Sequence, residues 1–189
     1  GMMLLFNQKT GQPLAILYDQ GILTDIRTAV AGQICAKTFS NKIKRIGVIG
    51  TGTQAKLQVE YLKNITESRD VMVWGRDDKK MDQYKQHMEK IGFEVTFCKS
   101  PHEVASECNL IITATASKDY VLSNDDILEG THINAIGSDT PSKRELGPGI
   151  IEKADLVIAD SIEQCKYRGE IACSIRDGNL NLDNVVELG

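Results

Sequence analysis

The residues with the clearest chemical meaning form a glycine-rich motif, Gly50-Thr51-Gly52-Thr53-Gln54-Ala55, which follows an apolar run from Ile46 to Ile49. The motif has the pattern G-x-G-x-x-A and precedes an amphipathic stretch. A strand that delivers such a turn to a helix N-terminus aims free backbone N–H groups at one point. That arrangement suits a pyrophosphate, so the motif predicts a dinucleotide-binding site.

Each of three small residues in the motif is explained by a separate physical requirement of the site. Gly50 permits a sharp turn, Gly52 lets a phosphate approach the backbone, and Ala55 allows the helix to pack on the strand. Glycine-rich turns also occur as plain connections between elements. Here β-branched residues precede the motif and helical periodicity follows it, which favours the nucleotide interpretation.

A second pattern bears on the choice of cofactor. In NAD-selective folds an acidic side chain ends the second strand, whereas an arginine there accommodates a 2′-phosphate. The apolar run at residues 71–74 is followed by Gly75 and Arg76, so glycine stands where the acid is expected. These residues favour NADP(H). NAD(H) is the alternative, because Arg76 could be a solvated loop charge and Asp77 could still reach the ribose hydroxyls.

Strand and helix patterns alternate around these motifs from residue 44 onward. Strands are expected at residues 45–49, 71–74, 94–97, 110–113, 133–136 and 156–159. Helices are expected at residues 54–65, 79–91, 101–107, 124–128 and 148–153. The alternation predicts an α/β fold, a doubly wound Rossmann-type parallel sheet with helices on both faces. Ligands of such sheets bind beyond the C-terminal ends of the strands.

The first forty residues follow a different pattern. Two apolar runs, at residues 3–6 and 14–18, are joined by a turn-rich stretch and predict an antiparallel hairpin. A helix is expected from Thr24, a candidate N-cap, to about Phe39. A hairpin and one helix bury little apolar surface by themselves. We therefore expect residues 1–40 to be a segment of a second, partial domain and residues 41–165 to be the dinucleotide-binding domain.

Composition narrows the class of protein further. The hydrophobic fraction of 41% and the charged fraction of 25% are typical of a soluble globular domain. No run reaches membrane-spanning length, no leader pattern opens the chain, and the net charge of −4 argues against nucleic-acid and membrane-surface partners. The five cysteines are scattered without a C-x-x-C pair, and the three histidines lie in different segments. We expect reduced thiols, no metal site and a cytoplasmic location.

Four motifs, in the same order along the chain, resemble those of the ornithine cyclodeaminase and mu-crystallin family. They are the glycine turn at residues 50–55 together with Thr10-Gly11-Gln12-Pro13-Leu14-Ala15, Leu23-Thr24-Asp25-Ile26-Arg27-Thr28-Ala29 and Ile133-Asn134-Ala135-Ile136-Gly137-Ser138-Asp139-Thr140-Pro141-Ser142-Lys143-Arg144-Glu145-Leu146. The resemblance implies a two-domain oxidoreductase of amino acid metabolism that uses a nicotinamide cofactor and usually forms a dimer. Its reactions would be those of ornithine cyclodeaminase, alanine dehydrogenase or an imino acid reductase, by hydride transfer at the carbon that bears nitrogen.

The resemblance gives two residues a role toward the substrate. Arg27 corresponds to the arginine that binds the substrate carboxylate, although a helix arginine could instead be solvated or paired with Asp25. Asp139 corresponds to the acidic residue that faces the substrate nitrogen and moves a proton there. The alternative for Asp139 is a turn in which its carboxylate caps local N–H groups. The mu-crystallin branch lacks this aspartate, so its presence favours amino acid chemistry.

The resemblance also extends the set of cofactor residues. The segment Thr115-Ala116-Ser117 corresponds to the one that passes beside the nicotinamide ribose, although the same residues could form an ordinary loop. Gly137, in the fourth motif, is assigned to the same cofactor set.

Length is the main departure from the family pattern. Full members exceed three hundred residues and carry further substrate contacts, including a lysine, before the equivalent of Met3, and residues 166–189 would begin their C-terminal return segment. We therefore expect this chain to bind cofactor but to turn over amino acids poorly or not at all. Two alternatives stay open: a non-catalytic module that holds NADPH and a small ligand, as in mu-crystallin, and a subunit whose exposed hairpin is covered by a partner.

Overall fold

The chain begins with an antiparallel two-stranded ribbon. Strand β1 (Met2–Phe6) pairs with strand β2 (Pro13–Tyr18), as the two apolar runs predicted. Its apolar side chains are exposed on both faces, including Phe6 at 55% and Leu14 at 63%. The ribbon therefore contributes almost nothing to the core of this chain.

Helix α1 (Ile22–Phe39) follows the ribbon and starts earlier than predicted. Thr24 lies inside the helix and is not its N-cap, so that expectation was wrong. The carboxylate of Asp19 accepts hydrogen bonds from the N–H groups of Gly21 and Leu23 at 3.2 and 3.0 Å, which satisfies donors at the true start. An upstream aspartate thus sets the N-terminus of α1.

The structure is a computed structural model that describes all 189 residues. A five-stranded parallel sheet forms its centre. Its strands are β3 (Ile46–Ile49), β4 (Asp70–Trp74), β5 (Glu94–Phe97), β6 (Leu110–Thr113) and β7 (His132–Ala135). The spatial order is β5-β4-β3-β6-β7, and all four pairings are parallel. The strand order reverses between β3 and β6, so a crevice is expected beyond the C-terminal ends of these two strands.

Helices cover both faces of the sheet, which confirms the doubly wound α/β fold. They include α2 (Thr53–Leu62), α3 (Asp78–Lys90) and α4 (Pro101–Glu107). Side chains of β3 alternate between the faces: Ile46 and Val48 pack with residues of α1, α2 and α3, whereas Ile49 packs with residues of α4. Burial on both faces explains why β3 and β6 are apolar runs, whereas the edge strands β5 and β7 include polar and exposed residues.

Close packing of α4 against the sheet depends on a glycine in β3. A Cβ atom added to Gly47 would lie 2.6 Å from Cγ1 of Val104 and 2.9 Å from Cβ of Cys108. A larger residue would push α4 away from the strand that leads into the glycine turn.

The C-terminal part of the chain departs most from the predicted elements. Strand β8 (Val157–Ala159) is outside the main sheet and pairs with β9 (Val185–Glu187). Between them lie α5 (Ile162–Cys165) and α6 (Gly169–Arg176). The predicted helix at residues 148–153 is a series of turns, because Gly149 has a φ of +91° that a helix cannot continue through. Residues 124–128 contain only a 3-10 turn.

No helix combines the length and the apolar character that crossing a membrane requires.

Candidate functional site

The glycine turn after β3 occupies the point where the strand order reverses. Gly50 has a φ of +119°, and its N–H donates to the carbonyl of Trp74 at 2.9 Å. A Cβ atom on Gly50 would overlap the carbonyl oxygen of Ala114, which follows β6. Only glycine lets the chain turn here while the ends of β3 and β6 stay side by side.

The N-terminus of α2 has the free donors and the space that an anion needs. Gly52 is the N-cap, no side chain caps the helix, and a Cβ atom on Gly52 would meet nothing within 4 Å. The first backbone bond within the helix is donated by Lys56 to the carbonyl of Gly52. The N–H groups at positions 53–55 therefore have no partner in the helix. A pyrophosphate fits these residues, since it would accept from those N–H groups and lie where a Cβ atom would otherwise be.

The end of β4 lies beside this turn. A Cβ atom on Gly75 would be 2.9 Å from Cγ2 of Thr51, so the two loops are in close contact. Arg76 is exposed and makes no ion pair or side-chain hydrogen bond. The carboxylate of Asp77 caps α3 by accepting from the N–H of Lys80 at 3.2 Å. Of the two charged residues, Arg76 is the one free of a local structural task.

The loops after β6 and β7 meet on the other side of the turn. A Cβ atom on Gly137 would lie 2.5 Å from the backbone nitrogen of Thr115, so this glycine permits direct contact between the loops. The hydroxyl of Thr115 accepts from the N–H of Ser117 at 3.2 Å, and the Ser117 hydroxyl donates to the carbonyl of Asp119 at 2.7 Å. The loop that carries residues 115–117 therefore contacts Gly137, and their assignment to the cofactor stays a prediction.

A buried glutamate that the sequence interpretation left without a role holds these loops. The Glu145 carboxylate is fully buried and accepts from Thr113 Oγ1 at 2.8 Å, from Thr115 N–H at 2.6 Å and from Gly137 N–H at 2.9 Å. Burial raises the pKa of Glu145, and the hydrogen bonds from Thr115 and Thr113 act in the opposite direction. Its only signal in the sequence was its place in the fourth motif.

A second buried carboxylate supports the first. Glu170 of α6 is 8% exposed, and its two oxygens accept from the N–H groups of Glu145 at 2.7 Å and Leu146 at 3.1 Å. Burial raises the pKa of Glu170, and the two backbone hydrogen bonds act against that effect. Nothing in the local pattern of α6 predicted this contact.

Helix α1, which carries Arg27, is fastened to the nucleotide-binding core by side-chain amides. Gln54 donates to the Asp25 carboxylate at 3.0 Å, Gln58 donates to the carbonyl of Thr28 at 2.9 Å, and Asn134 of β7 donates to the carbonyl of Gly32 at 3.1 Å. The bond between Gln54 and Asp25 ties the first half of α1 to the residues of the glycine turn. No role was predicted for these amides from the sequence, although Gln54 and Asn134 lie within two of the family motifs.

Arg27 and Asp139 are both exposed; Arg27 is not paired with Asp25, and Asp139 does not cap a local turn. Arg27 has no ion pair, and Asp25 bonds to α2 instead. The side chain of Asp139 is 68% exposed and pairs with Nζ of Lys143 at 2.6 Å, without accepting from a local N–H. Both side chains are therefore available to a ligand.

Other candidate chemistry is not supported by the structure. All five cysteines are unpaired, and no cluster of three potential metal ligands exists. His132 bonds to Oδ1 of Asn134 at 3.0 Å. A groove of about 610 Å³ lies at the opposite end of the strands, next to the residues that lead into β3 and β4, and is remote from the glycine turn.

The fold and the site together define a class of protein. A glycine turn that joins a buried strand to an uncapped helix, at the reversal point of a doubly wound parallel sheet, is the nucleotide-binding element of Rossmann-type proteins. The family model described as the ornithine cyclodeaminase/mu-crystallin family matches residues 1–189. The chain therefore belongs to this family, and the resemblance drawn from its motifs is confirmed.

Individual relatives agree with this membership. Alanine dehydrogenase of Archaeoglobus fulgidus is 36% identical over 185 residues, which cover 97% of this chain and 56% of the relative. An archaeal alanine dehydrogenase dimer with bound NAD has a TM-score of 0.90 at 35% identity, covering 98% of this chain and 57% of that one.

Thermococcus litoralis Δ1-pyrroline-2-carboxylate reductase, in complex with NADH and L-proline, has a TM-score of 0.89 at 29% identity and covers 97% of this chain and 57% of that one. This chain thus spans little more than half the length of the relatives it matches.

Proposed function

We propose that this chain is the cofactor-binding part of an oxidoreductase that acts on a small α-amino or α-imino acid. The observation that carries the proposal is the uncapped N-terminus of α2, where Gly52 leaves open space at the reversal point of the sheet. Residues 50–55 would hold the pyrophosphate of NAD(P)(H). The proposed domain limits remain 41–165 for this unit, with residues 1–40 and 166–189 belonging to the second domain and its return segment.

The two halves of the cofactor are proposed to lie on opposite sides of the glycine turn. Gly75 and Arg76, after β4, would face the adenine ribose, and the loops that contain residues 115–117 and Gly137 would face the nicotinamide half. Arg76 supports a preference for NADP(H), because it is exposed and unpaired while Asp77 is engaged as a helix cap. The NAD and NADH named for the two relatives make NAD(H) the alternative.

Titration of NADPH and NADH, followed by fluorescence of the reduced nicotinamide, tests both the binding and the preference. We expect Arg76→Ala to weaken NADPH binding about tenfold, the effect of one charge-assisted hydrogen bond, and NADH binding less than about twofold. Lys90→Ala is the matched control, because it removes an exposed positive charge at the far end of α3. Equal wild-type affinities for the two cofactors would refute the preference, and no binding of either would refute the proposed function.

Arg27 and Asp139 are the residues proposed to act on the substrate. The guanidinium of Arg27 would bind the substrate carboxylate through two parallel hydrogen bonds, and α1 is held in place for this by Gln54 and Gln58. The carboxylate of Asp139 would accept a proton from the substrate ammonium or orient water at an imine, with Lys143 restricting its position. The bound nicotinamide would supply the hydride acceptor or donor.

A screen of amino acids and cyclic imino acids with both cofactors, followed by absorbance of the reduced nicotinamide, tests the substrate class. For any substrate found, Arg27→Lys should raise KM about tenfold or more, because lysine cannot form the two-point contact. Asp139→Asn should lower kcat by about a hundredfold or more and leave the Kd of the cofactor unchanged. Unchanged KM in the first variant or unchanged kcat in the second would remove that residue from the proposal.

The exposed ribbon of β1 and β2 is proposed to be a contact between two copies of the protein. A two-stranded ribbon is marginally stable in water, and this one exposes apolar side chains on both faces. The dimer named for the archaeal alanine dehydrogenase supports the proposal. Light scattering after size-exclusion chromatography should show a dimer that Leu4→Asp dissociates.

A cytoplasmic location is proposed as well, and the unpaired cysteines support it.

A further inference from the structure

The carboxylate of Glu145 is the meeting point of two loops that are distant in sequence. Its oxygen Oε1 accepts from Thr115 N–H, and Oε2 accepts from both the Thr113 hydroxyl and Gly137 N–H. Thr113 is the last residue of β6, Thr115 lies in the loop that follows it, and Gly137 follows β7. Glu145 therefore joins the two loops at the C-terminal edge of the sheet, in addition to the backbone hydrogen bonds that Ile136 and Gly137 donate to the carbonyl of Thr113 at 2.8 and 3.1 Å.

The chemistry of this contact requires a carboxylate. Three donors point at two oxygens, and a carboxylate is the side chain that accepts at every position. A glutamine would place an NH₂ group opposite the N–H of either Thr115 or Gly137, whichever way the amide is turned. A neutral replacement of the same shape would thus lose one hydrogen bond from a backbone N–H and would place two N–H donors face to face.

Glu170 holds Glu145 in place without neutralising it. Its carboxylate accepts hydrogen bonds from the backbone N–H groups of Glu145 and Leu146. A series of hydrogen bonds therefore connects α6, through Glu145, to both loops. No lysine or arginine pairs with either carboxylate, and neighbouring Arg144 pairs with Asp177 at 2.8 Å instead. Two carboxylates are therefore buried against N–H and O–H donors alone, which is a costly arrangement for packing to retain.

We propose that Glu145 is a positioning residue for the nicotinamide half of the cofactor, and that Glu170 sets its position. The inference rests on the proposed function, because the loops after β6 and β7 lie on the side of the glycine turn that faces this half. Glu145 does not touch the cofactor; it sets the backbone of residues 115–117 and Gly137, which would. The pyrophosphate site at α2 shares no hydrogen bond with Glu145 and stays intact without it.

Binding of NAD⁺ and of ADP, measured by calorimetry on wild type and variants, tests the inference. ADP carries the adenine half and the diphosphate but no nicotinamide. For Glu145→Gln we expect the Kd of NAD⁺ to rise about tenfold and the Kd of ADP to change less than about twofold. If the role of Glu145 were purely structural, the variant would bind both NAD⁺ and ADP more weakly, and to a similar extent. Glu152→Gln is the matched control, because both oxygens of Glu152 are buried without a partner and lie outside this network.

Hydrogen exchange provides a second readout that needs no ligand. Glu145→Gln should speed exchange at the N–H of Thr115, which bonds to Glu145 alone, and leave that of Gly50 unchanged, while the N–H of Gly137 keeps its bond to the carbonyl of Thr113. Glu145→Asp should not restore protection at Thr115 because its carboxylate is one methylene short. If Glu145→Gln does not fold, Thr113→Val removes one donor and should raise the Kd of NAD⁺ about threefold.

These experiments distinguish failure of the role proposed for Glu145 from failure of the proposed function. Wild type that binds NAD⁺ with a variant that binds it equally well would overturn the role of Glu145 and leave the proposed function standing. Wild type that binds neither NAD⁺ nor NADPH would overturn the proposed function itself. Equal losses for NAD⁺ and ADP would reduce Glu145 to a fold-stabilising residue and overturn its positioning role.

Discussion

Gly52 and Gly50 are two residues apart, but alanine should affect them in opposite ways. At Gly52 the added Cβ atom meets nothing within 4 Å, and the backbone, with a φ of −80° and a ψ of −171°, suits any residue. Lower entropy of the unfolded chain would stabilise the variant by about 0.4–1 kcal/mol, and the weaker N-cap would offset a similar amount. The free energy of unfolding should therefore stay within about 0.5 kcal/mol of the wild-type value.

Cofactor affinity should fall sharply in the same Gly52→Ala variant. The methyl group would occupy the space from which a pyrophosphate oxygen reaches the free N–H groups of α2. Loss of one charge-assisted hydrogen bond, worth about 1.5–3 kcal/mol, corresponds to a rise in Kd of about tenfold to about a hundredfold. Calorimetric titration with NADH measures this change, and urea denaturation measures the unchanged stability.

Gly50→Ala should instead damage the fold. A φ of +119° costs a side chain about 1–3 kcal/mol, and overlap with the Ala114 carbonyl adds about 1–3 kcal/mol because the ends of β3 and β6 must separate. We expect a loss of about 2–6 kcal/mol of stability. Gly178→Ala is the matched control for backbone strain, since Gly178 has a φ of +77° and an added Cβ atom there meets nothing within 4 Å.

The refuting result concerns Gly52. A folded Gly52→Ala protein that binds NADH as tightly as wild type would refute the pyrophosphate site.

Two further predictions concern the packing of α1 and the buried end of β7. A Cβ atom on Gly32 would lie 2.8 Å from Cδ of Gln58 and overlap its Oε1, and Gln58 is held by its bond to Thr28, so Gly32→Ala should lower stability by about 1–3 kcal/mol in urea denaturation; no change would show that the Gln58 side chain can move aside. Burial lowers the pKa of His132 below 6.5, against the hydrogen bond with Asn134. The unfolded chain then binds the proton more readily, so stability should fall as the pH drops below 6.5 toward the folded pKa. His132→Gln, which can still donate to Asn134, should flatten that decline in denaturation curves between about pH 7.5 and about pH 5; an unchanged slope would assign it to other groups.

The parts of the fold that were predicted correctly depend on local patterns. The strands at residues 94–97 and 110–113 have the predicted bounds. The second is an apolar run because it is buried on both faces, whereas the first is an edge strand in which only Val95 is buried. The helix predicted at residues 148–153 failed because apolar periodicity says nothing about the left-handed backbone of Gly149. The helix start at Thr24 was wrong because a capping carboxylate five residues earlier satisfies the first donors.

The candidate site divides in the same way. Residues 50–55 were predicted with a physical reason for each small residue, and Gly50, Gly52 and Ala55 have the backbone, space and burial expected of them. The roles of Arg27 and Asp139 came from family resemblance and remain predictions. Glu145 was quoted within a motif and given no role, because its three donors lie at separations of 8 to 32 residues.

By itself the sequence determined the order of strands and helices from β1 to β6, the glycine turn and the family. Each of these is specified by residues within a few positions of one another, through alternation, helical periodicity and the backbone freedom of glycine. Tertiary structure alone decided which strands are neighbours, where α1 is fastened and which carboxylates are buried. Those features depend on contacts between residues such as Asn134 and Gly32, 102 positions apart, and only the folded chain brings such residues within hydrogen-bonding distance.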